Sequence, residues 1–116
     1  MSGASVYLTM ANGSVIHNPT QSQLAEAVQQ CFEPGTPSED PVFGLYYTLP
    51  NSFTYSMEAA VNGTLLFQEL EEEDSVEPLR YARLQHLSAD GMLHFLCLLS
   101  EGAIAQLSRE VYESNN

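Results

Sequence analysis

The stretch FTYSMEAAVNGTLLFQEL, Phe53 to Leu70, decides how the rest of this chain is assembled. At its centre stand Asn62 and Gly63, the residue types that take the positive φ of a tight hairpin turn at least cost. On the incoming arm Phe53, Tyr55, Met57, Ala59 and Val61 alternate with Thr54, Ser56, Glu58 and Ala60, the period of a strand with one buried face. The outgoing arm, Thr64 to Leu70, runs straight into Glu71-Glu72-Glu73-Asp74. A two-residue turn predicts that Val61 pairs with Thr64, Ala59 with Leu66, Met57 with Gln68 and Tyr55 with Leu70. The opposite face then pairs Ala60 with Leu65, Glu58 with Phe67 and Ser56 with Glu69. That register displays an aromatic ring among carboxylates. It makes Glu58, Phe67, Glu69, Glu71, Glu72, Glu73 and Asp74 the candidate partner-binding residues. The competing arrangement lays a helix over this face and makes Phe67 ordinary core.

Outside the hairpin, the apolar and turn residues set the remaining elements. Val6 to Met10 and Val15 to His17 flank Asn12-Gly13 and read as a first hairpin. Thr20 and Gln23 form a capping-box pattern after Pro19, and the helix it starts runs to about Phe32 with Leu24, Ala27, Val28 and Cys31 on one face. The prolines and acids between Glu33 and Pro41 make a connector. Val42 to Leu49 places Phe43, Leu45, Tyr47 and Leu49 on one face of a central strand. Arg80 to Leu87 is a further strand. Asp90-Gly91 then signals a turn into Met92–Leu99, read as a strand closing a hairpin, with a short helix capped by Ser88 as the alternative. A last amphipathic helix, Glu101 to about Glu113, carries Ile104, Leu107 and Val111 on one stripe. The expected architecture is one α+β domain over residues 1–116. It has an antiparallel sheet of five to seven strands, with two helices packed on one face and the other face at least partly open.

Charge narrows the function classes. Fifteen Asp and Glu against three Arg and no Lys give −12 over 116 residues, so the chain repels phosphate backbones and anionic membranes and attracts basic partners. The same acid excess also serves solubility. No segment is apolar for long enough to cross a bilayer, and no basic region followed by an apolar run marks a secretory signal.

Motifs for catalysis are missing from the sequence: no nucleophile elbow, phosphate-cradling glycine loop, paired Cys-x-x-Cys or His-Glu-x-x-His. His17, His86 and His94 are single histidines with no carboxylate spaced in sequence to orient them. Glu71-Glu72-Glu73-Asp74 lacks the glycine and the alternating oxygens of a calcium loop. Cys31, near a helix C-terminus, and Cys97, in an apolar run, read as buried reduced thiols. The expectation is therefore a non-enzyme with no catalytic residues, no metal and no cofactor.

Val6 to Thr20, leading into Gln21 to Cys31, resembles the opening of small immunity proteins from bacterial polymorphic-toxin and type VI secretion systems. Asp90-Gly91, the apolar run to Leu99 and Ser100 to Leu107 are similar to the way such chains close. The resemblance implies a cytoplasmic protein that binds and blocks a cognate toxin or effector, with no nucleic-acid or membrane partner. The oligomeric state stays open. The second reading is a phage-type inhibitor or nucleic-acid mimic, which would array its carboxylates over the whole surface, whereas here Glu69, Glu71, Glu72, Glu73, Asp74 and Glu77 crowd into nine residues.

Overall fold

Val6, Leu8 and Met10 alternate with Ser5, Tyr7 and Thr9 along β1 (Ser5–Met10), and this alternation fixes which side of the sheet becomes core. The computed structural model describes residues 4–10, 13–32, 41–72 and 75–114. β1 lies between β2 (Val15–His17) and β3 (Phe43–Thr48). β4 (Thr54–Ala60), β5 (Thr64–Leu70) and β6 (Arg80–Leu84) extend the sheet in chain order, giving β2-β1-β3-β4-β5-β6 with every pairing antiparallel. Three helices follow the same chain: α1 (Gln21–Gln30), α2 (Ala89–Ser100) and α3 (Ile104–Ser114). The fold is α+β, with six strands and, among the described residues, one more helix than the sequence suggests.

The first helix forms as its caps dictate. Gln23 N–H donates to Thr20 Oγ1 at 3.2 Å, and Thr20 N–H donates to Gln23 Oε1 at 2.9 Å. These reciprocal bonds satisfy two amides that the first helical turn would otherwise leave open. Leu24, Ala27, Val28 and Cys31 then fall on one buried face.

The additional helix is α2, where a strand was expected for Met92–Leu99. Ser88 caps it, accepting from Gly91 N–H at 3.0 Å, and Asp90 sits favourably in the first turn near the positive end of the helix dipole. Asp90-Gly91 therefore opens a helix instead of turning a hairpin. The run is apolar nearly all round because α2 packs between α1 and α3 and onto β3, so its sequence carries little helical periodicity. It ends at Gly102, whose φ of 77° lets Gly102 N–H reach Leu99 carbonyl and Ala103 N–H reach Leu98 carbonyl. That reversal sends α3 back across the sheet.

A second correction concerns the register of the central hairpin. Val61–Gly63 form a three-residue turn of 3₁₀ type, closed by Gly63 at φ 70°, and Ala60 pairs with Thr64. A loop of three residues, ending on a glycine in the left-handed region, displaces the partner strand by one position relative to a two-residue turn. Met57 consequently faces Phe67, and Glu58 faces Leu66. A shift of one residue exchanges the two faces of β5, which carries Phe67 from the expected surface into the core.

The covered face is continuous across five strands: Leu8, Leu45, Met57, Phe67 and Ala82 stand in register, each no more than 1% exposed. Met10, Phe43, Ala59, Leu65 and Leu84 form a second row beside it. Leu24, Val28, Met92, Leu96, Leu99, Leu107 and Val111 descend on these rows from the three helices. Each fully buried Leu, Met or Phe side chain contributes about 1.5–3 kcal/mol by leaving water. All three helices are thus committed to one side of the sheet.

Candidate partner-binding surface

With the helices on one side, the other face of the sheet is assembled from the alternate residues of every strand. One row runs His17, Tyr7, Tyr46, Ser56, Gln68, Tyr81, one residue from each strand. The Tyr7 and Tyr46 rings stack at 5.1 Å between centroids and 16° between planes, and His17 adjoins Tyr7 at 6.2 Å. Ser56 Oγ donates to Gln68 Oε1 at 3.3 Å. The neighbouring row reads Val15, Thr9, Gly44, Glu58, Leu66, Arg83. Thr48 and Thr54 bring their hydroxyls to 3.3 Å of each other on the same side.

The outer strands leave this face most exposed: Tyr81 is 62% and Val15 50% accessible. Leu79, two residues before Tyr81, and Val76 extend the exposed apolar surface onto the connection between β5 and β6. That connection also carries the exposed Glu71, Glu72 and Glu77. Ser56 and Thr54 are buried, 1% and 0% exposed, so the accessible part of this face consists of its tyrosines, His17 and the apolar and acidic residues along its edge, a set suited to binding a protein.

The seven residues expected to form the partner-binding site divide accordingly. Glu58 lies on the open face, partly buried, between Gly44 and Leu66. Phe67 is core, 1% exposed, stacked near Tyr55 at 6.2 Å and edge-on to Tyr112 at 6.0 Å, so it is not displayed for a partner. Glu69 is turned to the covered side at its rim, where it accepts from the Tyr112 hydroxyl at 2.6 Å and lies 3.8 Å from Arg80 Nε. Both corrections follow from the register of β5. Glu71 and Glu72 are exposed beyond the strand end, while Glu73 and Asp74 lie outside the described residues.

Sequence reasoning passed over Tyr7, Tyr46 and Tyr81. The signal for the first two was present, because assigning Leu8 and Leu45 to the core puts their chain neighbours on the other side. Tyr81 required the register of β5 as well.

Titratable groups elsewhere hold the structure together. His94 Nε2 and Glu110 Oε1 approach to 2.8 Å and join α2 to α3, a pairing that sequence spacing did not suggest because the residues lie on different helices. The bond to His94, followed by one from Gln106, holds the Glu110 carboxyl below its usual range. Burial pushes the Cys31 thiol up to about 11, and it raises Cys97 as well, with Glu101 adding to the effect. Among the described residues no group of three or more His, Cys, Asp or Glu is placed to hold a metal ion, and no helix is long and apolar enough to cross a membrane.

No protein-family model, no curated protein and no solved structure matches this chain.

Proposed function

We propose that this protein is an immunity-type inhibitor that binds a cognate bacterial toxin or effector through the open face of its sheet. The observation carrying this reading is the one-sided placement of the helices, which leaves a six-strand face bearing Tyr7, Tyr46 and Tyr81 with no helix of the described residues packed upon it. A rigid face of that kind keeps its aromatic groups oriented before a partner arrives, so little side-chain entropy is lost on binding. The acid beside it, Glu71, Glu72 and Glu77, together with the net charge of −12, favours a basic partner and speeds its approach. Inhibition then needs no chemistry from this chain; the bound face occludes the toxin. A nucleic-acid mimic is supported less well, since the two long rows of the face include one carboxylate, Glu58, and a cation, Arg83.

Survival of cells co-expressing this chain with the product of the neighbouring reading frame tests the proposal. Protection is expected from the native chain and is expected to be lost with Tyr81→Ala at unchanged melting temperature. A neighbouring product that is harmless, or equal protection by the variant, would sink this reading of the face.

A further inference from the structure

We infer that the notch around Gly44 is a subsite for an arginine side chain offered by a basic protein partner. The inference rests on the open face being the binding surface and gives that surface one defined contact. The notch is a shallow, open depression of about 270 Å³ where β1 ends and β3 begins, and its lining includes Thr9, Val42, Gly44, Tyr46 and Glu58.

Gly44 lets the lining of the notch close in. It occupies the position between Thr9 and Glu58 in the second row of the open face. A Cβ added there would stand 3.1 Å from Tyr46 Cε2 and 3.3 Å from Thr9 Oγ1, tighter than ordinary van der Waals contact, so the ring and the hydroxyl reach over the glycine and wall the notch together with Glu58. Tyr46 is held in place by its stacking on Tyr7. Thr9 Oγ1 donates to the Gly44 carbonyl at 3.3 Å, which commits its proton and leaves the oxygen to accept. Glu58 is partly buried directly opposite Gly44, and among the described residues it forms no ion pair.

A carboxylate, an aromatic face and an accepting hydroxyl around one opening ask for a flat cation with several donors. A guanidinium meets all three: its fork bonds to the carboxylate and its plane lies against the ring. A lysine ammonium reaches Glu58 but presents no plane to Tyr46. An aliphatic side chain would cover Glu58 without pairing it, which is unfavourable. The chain's charge of −12 selects a basic partner before any contact forms.

The test is an amide-resolved NMR titration of the full chain with the peptide acetyl-Gly-Arg-Gly-amide, with its Lys and Leu counterparts as comparators. Saturable shifts are expected at Thr9, Gly44 and Glu58, strongest for the Arg peptide. Glu58→Gln, whose melting temperature serves as the folding control, is expected to weaken the Arg peptide about fivefold or more. Equal shifts from the Leu peptide, an unchanged affinity in Glu58→Gln, or no shift at the notch would overturn the subsite. Shifts at Gln68, Tyr81 and Arg83 instead would overturn it while leaving the open face as the binding surface. The protection assay with Tyr81→Ala judges that face separately, so the two failures are distinguishable.

Discussion

The Tyr112 hydroxyl donates to Glu69 Oε2 at 2.6 Å, fastening the last helix to the fifth strand. Arg80 Cζ lies 3.5 Å from the centroid of the same Tyr112 ring, and Arg80 Nε is 3.8 Å from the same carboxylate oxygen. Phenol, carboxylate and guanidinium thus close the core rim where β5, β6 and α3 meet. Tyr112→Phe keeps the ring under Arg80 and removes only the donor. The loss of a hydrogen bond to a charged, poorly exposed acceptor is expected to cost about 1–3 kcal/mol, read as a lower melting temperature. An unchanged melting temperature would show that Arg80 and water satisfy Glu69 alone.

The same contact makes stability sensitive to alkali. Burial, and next the bond to Glu69, raise the Tyr112 phenol above its ordinary 10.0; Tyr55 is raised by burial and then by the Glu69 charge. A group that holds its proton more tightly when folded contributes stability that is complete below its unfolded pKa. That contribution is lost as pH rises past 10.0 toward the higher folded value. Denaturation free energy should therefore fall above that pH, and less steeply in Tyr112→Phe. Equal slopes in the two proteins would contradict the linkage.

Gly63 is fixed by two independent constraints. Its φ of 70° disfavours any branched side chain, and a Cβ there would collide with the backbone of Leu87, whose N–H donates to Gly63 carbonyl at 3.0 Å. The hairpin tip is docked on the segment that leads into α2. Gly63→Val is expected to lower stability by about 2–5 kcal/mol, combining strain at positive φ with overpacking. Chemical denaturation measures it, and a change below about 0.5 kcal/mol, the range of ordinary surface substitutions, would mean that the tip is not docked.

Those two positions also show what the sequence could and could not convey. The turn at Gly63 and the strands on either side of it were legible from alternation and from Asn-Gly, as were Thr20 with Gln23 at the head of α1. Whether the loop holds two residues or three was not, because Val61 continues the alternation of β4 and yet belongs to the turn. That single position decided the fate of Phe67 and Glu69, and with them the candidate site. Met92–Leu99 was ambiguous for a different reason: a helix enclosed by α1, α3 and the sheet loses the polar stripe that would identify it. Ser88 supplied the local signal that the pattern lacked.

Both thiols should be slow nucleophiles in the native protein. Cys31 is 2% exposed with its pKa pushed up to about 11, and Cys97 is partly buried with its pKa also raised. The thiolate fraction and access are both low, so labelling by a bulky disulfide reagent is expected only on unfolding. Rapid native-state labelling of Cys31 would contradict its place on the buried face at the end of α1.

The sheet's two faces predict opposite consequences for two aromatic truncations. Phe67 fills the middle of the covered face between Met57 and Ala82, so Phe67→Ala leaves a cavity and is expected to cost about 3–5 kcal/mol. That is a large share of the roughly 5–15 kcal/mol that holds a domain together, and unfolding in mild denaturant should expose it. Tyr81 projects from edge strand β6 on the open face at 62% exposure, so Tyr81→Ala should change stability by no more than about 0.5 kcal/mol. Under the proposed function it should weaken the toxin complex by about 2 kcal/mol, as an aromatic anchor does. Glu71→Gln with Glu72→Gln acts differently again. These carboxylates are exposed beyond the end of β5, where they steer more than they hold. Slower association with a flatter salt dependence is expected, and dissociation should change little. Denaturation singles out Phe67→Ala, and binding kinetics at low and high salt separate Tyr81→Ala from the double Gln variant. If Tyr81→Ala leaves dissociation unchanged while the double Gln variant speeds it, the acidic connection is the anchor and the sheet face is not.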